Sequence, residues 1–440
     1  MLPPDSQDST KSLRHSFLSR AWVDIIICCV LFVAGTALVW GTSHRLSVGL
    51  RSLSADDVWF ESDVGRVFYN MSSRHSDQYR SQVHPIFALI ANPVCVIFHR
   101  VFRLDLNGSA DLFLALTAGV WMVLMFVVIR RLGFDRAMAA MSAVIGLFSA
   151  SGLLFFAVPE SYGLSSVSIL LAIWLLVFTN GTRRSTAGAV LASAASLSMT
   201  VTNWSLGLLL TLRRYWFRRW LQISINAFFV VTVLWSLERA VMPSAQFFTA
   251  VAGERQYVHF VTPSVVAHTA VVFASHTIVC PAVQQVTSFG ADEDPIGPAW
   301  KTGLSMQSAA PGSGSILGVV LAVAWLVIFG FGVVTLARES ANPLALPILG
   351  FLLLQFLLHV LYGEETLLYS LNWMPVLVIV AAYAFQRIGR LRWPAMALFA
   401  VLLAVNNYGQ FRHISTLVDS YQAAHPLAPP ERPEEMIPKP

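Results

Sequence analysis

Four acidic residues stand close together shortly after the first long apolar run of the chain: Asp56, Asp57, Glu61 and Asp63. Carboxylates at such close spacing can serve group transfer to a hydroxyl. One takes the proton of the attacking hydroxyl, and a second can hold a divalent metal ion. The alternative is a solvated loop whose acids cap the next helix, because aspartate is common at the N-cap position.

Basic side chains follow these acids: Arg66, Arg74, His75, Arg80 and His84. Arginine binds phosphate through paired hydrogen bonds, so the group suits a substrate whose leaving group is a lipid-linked phosphate. His84 directly precedes a proline, and this step fixes the direction in which the next apolar run begins. The alternative is that loop arginines contact anionic lipid head groups of the membrane.

Further polar residues occur at the ends of later apolar runs. They are Glu160 with Tyr162, then Asn203, and then Glu364 with Tyr369 and Asn372. Polar side chains at membrane depth are costly and for that reason often functional. Two plainer explanations stay open. Glu160 can begin a helix and complement its dipole, and buried amides can join neighbouring helices through hydrogen bonds.

The chain that positions these residues is strongly apolar. It has 440 residues, of which 56% are hydrophobic and 12% charged, and its mean hydropathy is +0.63. Soluble domains carry about twice that charged fraction, and a helix needs about 20 apolar residues to cross a hydrocarbon core of roughly 30 Å. The sequence therefore predicts an all-α, polytopic helical membrane protein of about 10–12 spans, whose outer loops carry membrane-surface helices.

The basic residues divide the loops between the two sides of the membrane. Short loops with clustered arginines, such as those around Arg131 and Arg390, are predicted to face the cytoplasm. The chain then divides into a cytoplasmic tail over residues 1–20, a multi-spanning domain over 21–408 and an outer, partly disordered tail over 409–440. Nearly all of the acidic clusters consequently face outward.

Two long loops lie on the predicted outer side, over residues 43–110 and 243–314. Within the first loop, residues 56–80 are predicted to form a helix along the membrane surface. Within the second, the stretch 288–314 is rich in glycine, serine and proline, which is typical of a mobile connector.

The charge and the cysteines say less about function. The net charge of +5 comes from arginines in short loops, which fix topology, so it does not point to nucleic acid as a partner. Cys95 and Cys280 both map to the outer side, where a disulfide bond is an option. The sequence contains no P-loop and no Gly-x-Gly-x-x-Gly motif, and so gives no support to nucleotide-driven chemistry in the cytoplasm.

The segment from residue 56 to about residue 90 resembles the C-type glycosyltransferases, multi-spanning enzymes that use polyprenyl-phosphate sugars. Their acidic motif lies in the first extracytoplasmic loop, where this chain has Glu61-Ser62-Asp63. The run Ser62-Asp63-Val64-Gly65-Arg66 is similar to a helix start in the protein mannosyltransferase and aminoarabinose transferase branches. The run His84-Pro85-Ile86-Phe87 is similar to the His-Pro-Pro-Leu step of the protein mannosyltransferases.

The resemblance implies an enzyme of the inner (plasma) membrane whose active site faces the extracytoplasmic side. It would transfer a sugar from a polyprenyl-phosphate donor to a glycan or lipid acceptor, in contact with membrane lipids. By resemblance, Asp63 is the general base, with Glu61 and Asp57 as supporting catalytic carboxylates. A divalent cation, Mg²⁺ or Mn²⁺, is an option at Glu61 and Asp63.

The remaining candidate residues divide into two groups by the same resemblance. The donor phosphate is expected at Arg66, Arg80 and His84. The sugar or acceptor pocket is expected at Glu160, Tyr162, Asn203, Glu364 and Tyr369.

Two other functions use the same outer charges. A transporter or flippase for lipid-linked glycans would bind its cargo there without transforming it. It would also need polar groups along a path to the inner leaflet, whereas the inner halves of the predicted spans are mostly apolar. A polymerase of lipid-linked glycans would share the outer arginines but has less use for an early acidic pair.

Overall fold

The computed structural model describes residues 5–46, 48–51, 57–178, 186–250, 254–255, 257–289, 300–339 and 342–424. Within these ranges α-helices form most of the structure, so the prediction of an all-α, polytopic membrane protein is confirmed. The helices are α1 (Asp5–Ser43), α2 (Val64–Ser72), α3 (Phe87–Val101), α4 (Leu106–Arg131), α5 (Arg136–Leu147), α6 (Ala150–Phe155), α7 (Tyr162–Phe178) and α8 (Thr186–Met199). They continue with α9 (Trp204–Leu212), α10 (Phe217–Val241), α11 (Pro263–Val271), α12 (Ile316–Arg338), α13 (Ala345–Leu361), α14 (Met374–Arg387) and α15 (Arg392–Ala424).

Among the described residues, four helices are long and apolar enough to cross a membrane: the Ala21–Ser43 part of α1, and α4, α10 and α12. The 3₁₀ turn Thr366–Asn372 and α14 meet at an angle of 66° and together add a fifth candidate as a broken span. The predicted 10–12 spans therefore depend on shorter apolar helices such as α7 and α13. Short helices can lie at membrane depth where neighbouring helices bury them.

The centre of the bundle is α14, whose residues from Met374 to Phe385 are all buried. It is apolar on every side, as expected of a helix that other helices surround. At the periphery, α1 packs along α4 at Gly119, where a Cβ atom would collide with Thr36 and Phe32. The outer face of α1, which includes Trp22, remains exposed and suits contact with lipid.

The first outer loop folds inward instead of lying on the surface. The predicted helix over residues 56–80 is reduced to α2 and the 3₁₀ turn Tyr79–Gln82. The apolar side chains of α2, among them Val64, Val67 and Met71, are buried against the bundle. Their apolar face is therefore covered by protein, which removes the reason for a membrane-surface position.

The second outer loop contains a β-hairpin that the sequence analysis did not predict. Strands β1 (Gln284–Phe289) and β2 (Trp300–Ser305) pair antiparallel, with Gln284 opposite Ser305. The Leu304 N–H donates to the Val58 carbonyl at 2.9 Å, which fastens β2 to the first outer loop. The prediction of a mobile connector over 288–314 is therefore wrong for residues 288–289 and 300–305, where backbone pairing outweighs the loop-like composition.

The ends of the chain also differ from the predicted boundaries. Helix α1 already begins at Asp5, inside the predicted tail, and α15 continues to Ala424, past the predicted end of the last span at residue 408. The rest of the C-terminal tail lies outside the described residues. Cys95 and Cys280 are both buried as free cysteines, so the optional disulfide bond is absent between them.

A buried ion pair joins the first outer loop to α4. The Arg51 guanidinium contacts the Asp111 carboxylate, and these side chains are only 5% and 3% exposed. Ser43, the last residue of α1, also donates to Asp111, and Arg51 donates to Asn107 Oδ1 at 2.9 Å. The end of α1 and the start of α4 are thereby fixed beside the loop that carries the acidic residues.

Replacing Asp111 by alanine should destabilise the protein strongly, because it leaves the Arg51 charge buried without its partner. Breaking a buried pair in this way costs about 3–5 kcal/mol. The matched control is Glu339→Ala, which breaks the exposed pair with Arg387 and should cost at most about 1 kcal/mol. Thermal unfolding in detergent measures both changes. Equal, small shifts in the two variants would contradict the structural role of the buried pair.

Candidate active site

The acidic turn of the first outer loop has a strained backbone. Asp57, Phe60 and Glu61 adopt left-handed conformations, with φ angles of 70°, 53° and 56°. For residues other than glycine, each such conformation costs on the order of 1–2 kcal/mol. Local hydrogen bonds close the turn: the Asp57 N–H donates to the Ser62 carbonyl at 3.1 Å, and the Ser62 N–H donates to the Trp59 carbonyl at 3.0 Å. Contacts with the rest of the fold must offset the remainder of this conformational cost.

Two fully buried aromatic side chains supply those contacts. The Trp59 indole N–H donates to the Leu154 carbonyl of α6 at 3.2 Å. The Phe60 ring meets Phe155 edge-on, with 6.2 Å between ring centroids. The hydrogen bond from Leu304 of β2 to the Val58 carbonyl adds a further contact to the turn. The acidic residues of the turn therefore have fixed positions.

Asp63 occupies the N-cap position of α2 but does not cap the helix. Its carbonyl accepts from the Val67 N–H at 2.8 Å, while its side chain makes no capping hydrogen bond. The carboxylate instead forms an ion pair with Arg80, with 3.0 Å between Oδ2 and Nη1. The two side chains are 15% and 13% exposed. The alternative hypothesis, that the Asp63 side chain only caps the next helix, therefore does not hold.

Arg80 belongs to the 3₁₀ turn Tyr79–Gln82 and is the cation that Asp63 and Glu160 both face. Burial opposes its charge, but the attraction of Asp63, followed by that of Glu160, keeps the pKa of Arg80 well above its ordinary value. Its Nε is buried and has no hydrogen-bond partner among the described residues. The guanidinium thus retains a donor beyond the one that binds Asp63.

Glu160 lies in the turn between α6 and α7 and is only 2% exposed. Its Oε2 accepts from the Ser161 N–H at 2.6 Å, whereas Oε1 is buried and unpartnered within the described ranges. Burial raises the pKa of Glu160 to about 7, although the charge of Arg80 opposes this shift. The carboxyl group can therefore gain or lose a proton close to neutral pH.

His84 lies near Arg80 but is not a second cation. Its Nδ1 donates to the Met199 carbonyl at 2.7 Å and lies 3.2 Å from Thr200 Oγ1. Burial and then the charge of Arg80 lower the pKa of His84 to about 3, so the imidazole is neutral at physiological pH. A neutral ring that donates through Nδ1 is an acceptor at Nε2. It cannot supply positive charge to a phosphate group.

A cavity of about 200 Å³ opens beside Arg80. Its polar lining includes Arg80, Tyr162 and Tyr369, and its apolar lining includes Val83 and Leu358. The rings of Tyr162 and Tyr369 meet edge-on at 5.6 Å, which makes them one continuous wall. A guanidinium at one end and apolar residues along the sides suit a ligand that has both an anionic group and a hydrocarbon part.

One acidic residue at this cavity, Glu254, is absent from the sequence predictions. Its Oε1 accepts from Gln82 Nε2 at 2.8 Å, and its Oε2 accepts from the Tyr362 hydroxyl. Burial raises the pKa of Tyr362 well above its ordinary value, so this hydroxyl stays protonated as a donor. Glu254 thereby ties both outer loops to the end of α13. No local pattern signals this role, because all of its contacts are distant in sequence.

Glu61 approaches a second acidic residue, Glu365. The Glu365 N–H donates to Glu61 Oε2 at 3.1 Å, and the Ser305 hydroxyl donates to Glu365 Oε2 at 2.5 Å. Although part of Glu61 is exposed, burial of its carboxyl group and then the charge of Glu365 raise the pKa of Glu61 to about 8. Glu364, the predicted pocket residue, is exposed, and its neighbour Glu365 is the buried one.

Asn203 lies behind the cavity wall rather than in it. Its Nδ2 donates to Ser165 Oγ at 2.7 Å and to Asn372 Oδ1 at 2.9 Å. Its Oδ1 accepts from Gln355 at 3.1 Å. Asn372 lines the cavity, as does Thr200, which bonds to Ser165. Asn203 therefore positions the wall through hydrogen bonds between helices.

Two other predicted residues, Asp57 and Arg66, lie away from the cavity. Asp57 is exposed at the start of the acidic turn. The Arg66 guanidinium stacks on Tyr79, at 4.6 Å from the ring centroid, and does not line the cavity that Arg80 borders. Asp56 lies outside the described residues.

The predicted metal ligands Glu61 and Asp63 have different partners. Asp63 pairs with Arg80, and Glu61 meets the backbone of Glu365. In the part of the chain that the structure describes, no group of three or more His, Cys, Asp or Glu side chains is placed to hold a metal ion. A divalent cation at these two residues stays a prediction.

Solved structures match this chain in fold. Over 90% of this chain and 77% of the other, it superposes on ArnT from Cupriavidus metallidurans bound to undecaprenyl phosphate, with a TM-score of 0.55 and 15% sequence identity. ArnT in the apo state matches over 87% of this chain and 62% of that chain, with a TM-score of 0.51 and 17% identity. The chain has the ArnT fold.

The ArnT fold confirms the resemblance to the aminoarabinose transferase branch of the C-type glycosyltransferases at the level of fold. An oligosaccharyltransferase from Archaeoglobus fulgidus is more distant, with a TM-score of 0.41 and 12% identity over 87% of this chain and 56% of that chain. No protein-family model and no curated protein matches the sequence. The chemistry must therefore be argued from the site that this chain builds on the ArnT fold.

The raised pKa of Glu160 predicts that stability depends on pH. Between the ordinary value of 4.5 and about 7, only the folded protein keeps the proton on this residue. The retained proton stabilises the folded protein. This stabilisation is complete below the window and is lost as the pH rises through it, so the free energy of unfolding falls by up to ~1.4 kcal/mol per pH unit for one carboxyl group. The thermal unfolding midpoint should fall from about pH 5 to about pH 7, and Glu160→Gln should make that fall shallower.

Glu61 and Glu365 act in the same direction, so part of the pH dependence should survive in the Glu160→Gln variant. The matched control is Asp419→Asn, which alters an exposed acid on α15 and should leave the slope unchanged. A Glu160→Gln slope as steep as that of the wild type would mean that Glu160 carries no proton in this pH range.

Proposed function

We propose that this protein is a membrane glycosyltransferase that moves a sugar from a polyprenyl-phosphate donor to an extracytoplasmic glycan or lipid. The Asp63–Arg80 ion pair, whose arginine lines the cavity, is the observation that carries this proposal. Such a transfer needs a base for the acceptor hydroxyl and a cation for the leaving phosphate, and the pair supplies one of each side by side. The fold adds support, because its ArnT neighbour binds undecaprenyl phosphate.

In the proposed reaction Asp63 is the general base. It accepts the proton of the acceptor hydroxyl while that oxygen attacks the anomeric carbon of the sugar. The bond between this carbon and the phosphate oxygen breaks, and its electron pair stays on the phosphate. Polyprenyl phosphate then leaves with one more negative charge, which the Arg80 guanidinium stabilises.

The cavity lining supports a donor of this kind. Arg80 gives the phosphate end, and apolar residues such as Val83 and Leu358 suit the first isoprene units. Tyr162 and Glu254 provide polar groups for sugar hydroxyls. At about 200 Å³ the cavity is smaller than typical ligand pockets of about 300–1,000 Å³, so the head of the donor would bind there while its long tail stays in the bilayer.

The same cavity could serve a transporter, flippase or polymerase of lipid-linked glycans. The packing of the helices beneath the cavity favours the transferase. A transporter needs a polar path toward the other leaflet. Beneath the cavity, Ser165, Asn203 and Asn372 are hydrogen-bonded to one another, as in a packed helix interface. We place the enzyme in the inner (plasma) membrane with this cavity on the extracytoplasmic side, in keeping with the basic loops.

Asp63→Asn tests the role of the base. The substitution keeps the size of the side chain but removes its ability to take a proton, so turnover should fall about 10²–10⁴-fold. The assay is the release of polyprenyl phosphate by purified protein from a panel of polyprenyl-phosphate sugars with candidate acceptors. Asp57→Asn is the matched control, because this exposed residue of the same turn lies away from the cavity, and it should retain near wild-type turnover.

Other outcomes would reassign the function. Wild-type-like turnover by Asp63→Asn would remove Asp63 from the reaction, and a loss confined to Asp57→Asn would move the base to that residue. If the wild-type protein binds the sugar donors but releases no polyprenyl phosphate with any acceptor, the transport function is favoured over transfer.

A further inference from the structure

An arginine-lined cavity lies where α9 connects to α10, away from the acidic site. It measures about 540 Å³ and is lined by Arg213, Arg214, Tyr215, Trp216, Phe217 and Arg219. Neither Asp63 nor Arg80 borders it, and the proposed transfer reaction makes no use of it. We refer to it as the arginine cavity.

The arginine cavity and the acidic site lie at opposite ends of α10. Near the C-terminus of this helix, Glu238 accepts from the Leu89 N–H at 2.9 Å. Just beyond the helix, the Ser244 hydroxyl donates to the Ser76 carbonyl of the first outer loop at 2.6 Å. Helix α10 has 25 residues and is therefore roughly 37 Å long, which exceeds a hydrocarbon core of ~30 Å. The arginine cavity thus lies at the other membrane surface.

The arginine cavity is built for an anion. Arg213 and Arg219 are exposed at it, and Arg214 is held in place by donating to the Leu176 carbonyl at 3.0 Å. The first turn of α10 begins here, and its N-cap residue Trp216 gives no side-chain hydrogen bond to the N–H groups of that turn. Helix N-termini favour negative charge. The Tyr215 hydroxyl is buried and has no partner among the described residues, which leaves a further donor.

An apolar stripe runs along α10 from the arginine cavity. Trp216 and Phe217 are 89% and 64% exposed at its edge. Leu221, Ile225 and Phe229 follow at intervals of four residues and are 43%, 58% and 66% exposed. Residues at this spacing share one face of a helix. In a bilayer this face meets acyl chains directly below the level of the arginines.

We propose that the arginine cavity binds the head group of an anionic phospholipid. The phosphate contacts Arg213 and Arg219, and the acyl chains lie along Leu221, Ile225 and Phe229. Basic pockets at a membrane surface attract anionic lipids by charge, and the apolar stripe adds contacts that a soluble phosphate cannot make. The site is independent of the proposed glycosyl transfer.

Native mass spectrometry of the full-length protein can measure this binding with defined lipids. The probe is dioleoylphosphatidylglycerol, with dioleoylphosphatidylcholine as the zwitterionic comparison. The double variant Arg213→Gln/Arg219→Gln should bind the anionic lipid at least about tenfold more weakly, since each arginine provides charge-assisted hydrogen bonds. Arg218→Gln is the matched control, because this exposed arginine lies in the same turn but does not line the cavity. Its binding should stay within about twofold of the wild type.

Three results would overturn the proposal. The first is that Arg218→Gln weakens binding of the anionic lipid as much as the double variant does, and the second is that the double variant binds it as tightly as the wild type. The third is that the wild type binds phosphatidylcholine as tightly as phosphatidylglycerol. Competition by glycerol phosphate as effective as that by the lipid would make a soluble phosphate the ligand instead. If the double variant does not fold, Arg213→Gln alone gives the same test, because it leaves intact the hydrogen bond from Arg219 to Thr186 at 2.6 Å.

Discussion

The largely buried ion pair between Asp63 and Arg80 is the constraint on which the acidic site depends. Two charges withdrawn from water are costly unless they face each other in good geometry, so the backbone on both sides must be fixed. On the Asp63 side, the buried rings of Trp59 and Phe60 hold a left-handed turn in place. On the Arg80 side, the Arg80 carbonyl accepts from the His84 N–H at 2.8 Å, and His84 is in turn bonded to Met199. The strain of the turn and the neutral histidine both follow from this requirement.

The balance of charge around Arg80 also explains why the site retains protons. One guanidinium faces the carboxyl groups of Asp63 and Glu160, and its ion pair is with Asp63. Glu160, which is buried without a guanidinium contact of its own, has a pKa raised to about 7 by that burial. In the proposed reaction a donor phosphate competes with Asp63 for Arg80. Binding of the donor would therefore release the carboxylate to act as a base at the moment when the acceptor needs one.

The sequence was sufficient for features that depend on local composition and position. Apolar runs predicted the membrane helices, and the acidic motif after the first span drew attention to Asp63, which the structure pairs with Arg80. It could not separate Arg80 from Arg66, because the choice depends on which turn faces the cavity. For the same reason it did not distinguish the exposed Glu364 from the buried Glu365, and it missed Glu254, whose partners Gln82 and Tyr362 are distant in sequence. The hairpin over β1 and β2 was hidden by a loop-like composition.

The most direct test of the account is an electron cryo-microscopy structure of the protein with a bound polyprenyl phosphate. The account predicts that the phosphate lies within hydrogen-bond distance of the Arg80 guanidinium, about 2.7–3.2 Å, inside the cavity beside Tyr162 and Tyr369. It also predicts that Asp63 stays beside the phosphate, on the side from which an acceptor can approach. A phosphate bound at Arg66, with the Asp63–Arg80 pair unchanged and the cavity empty, would contradict it.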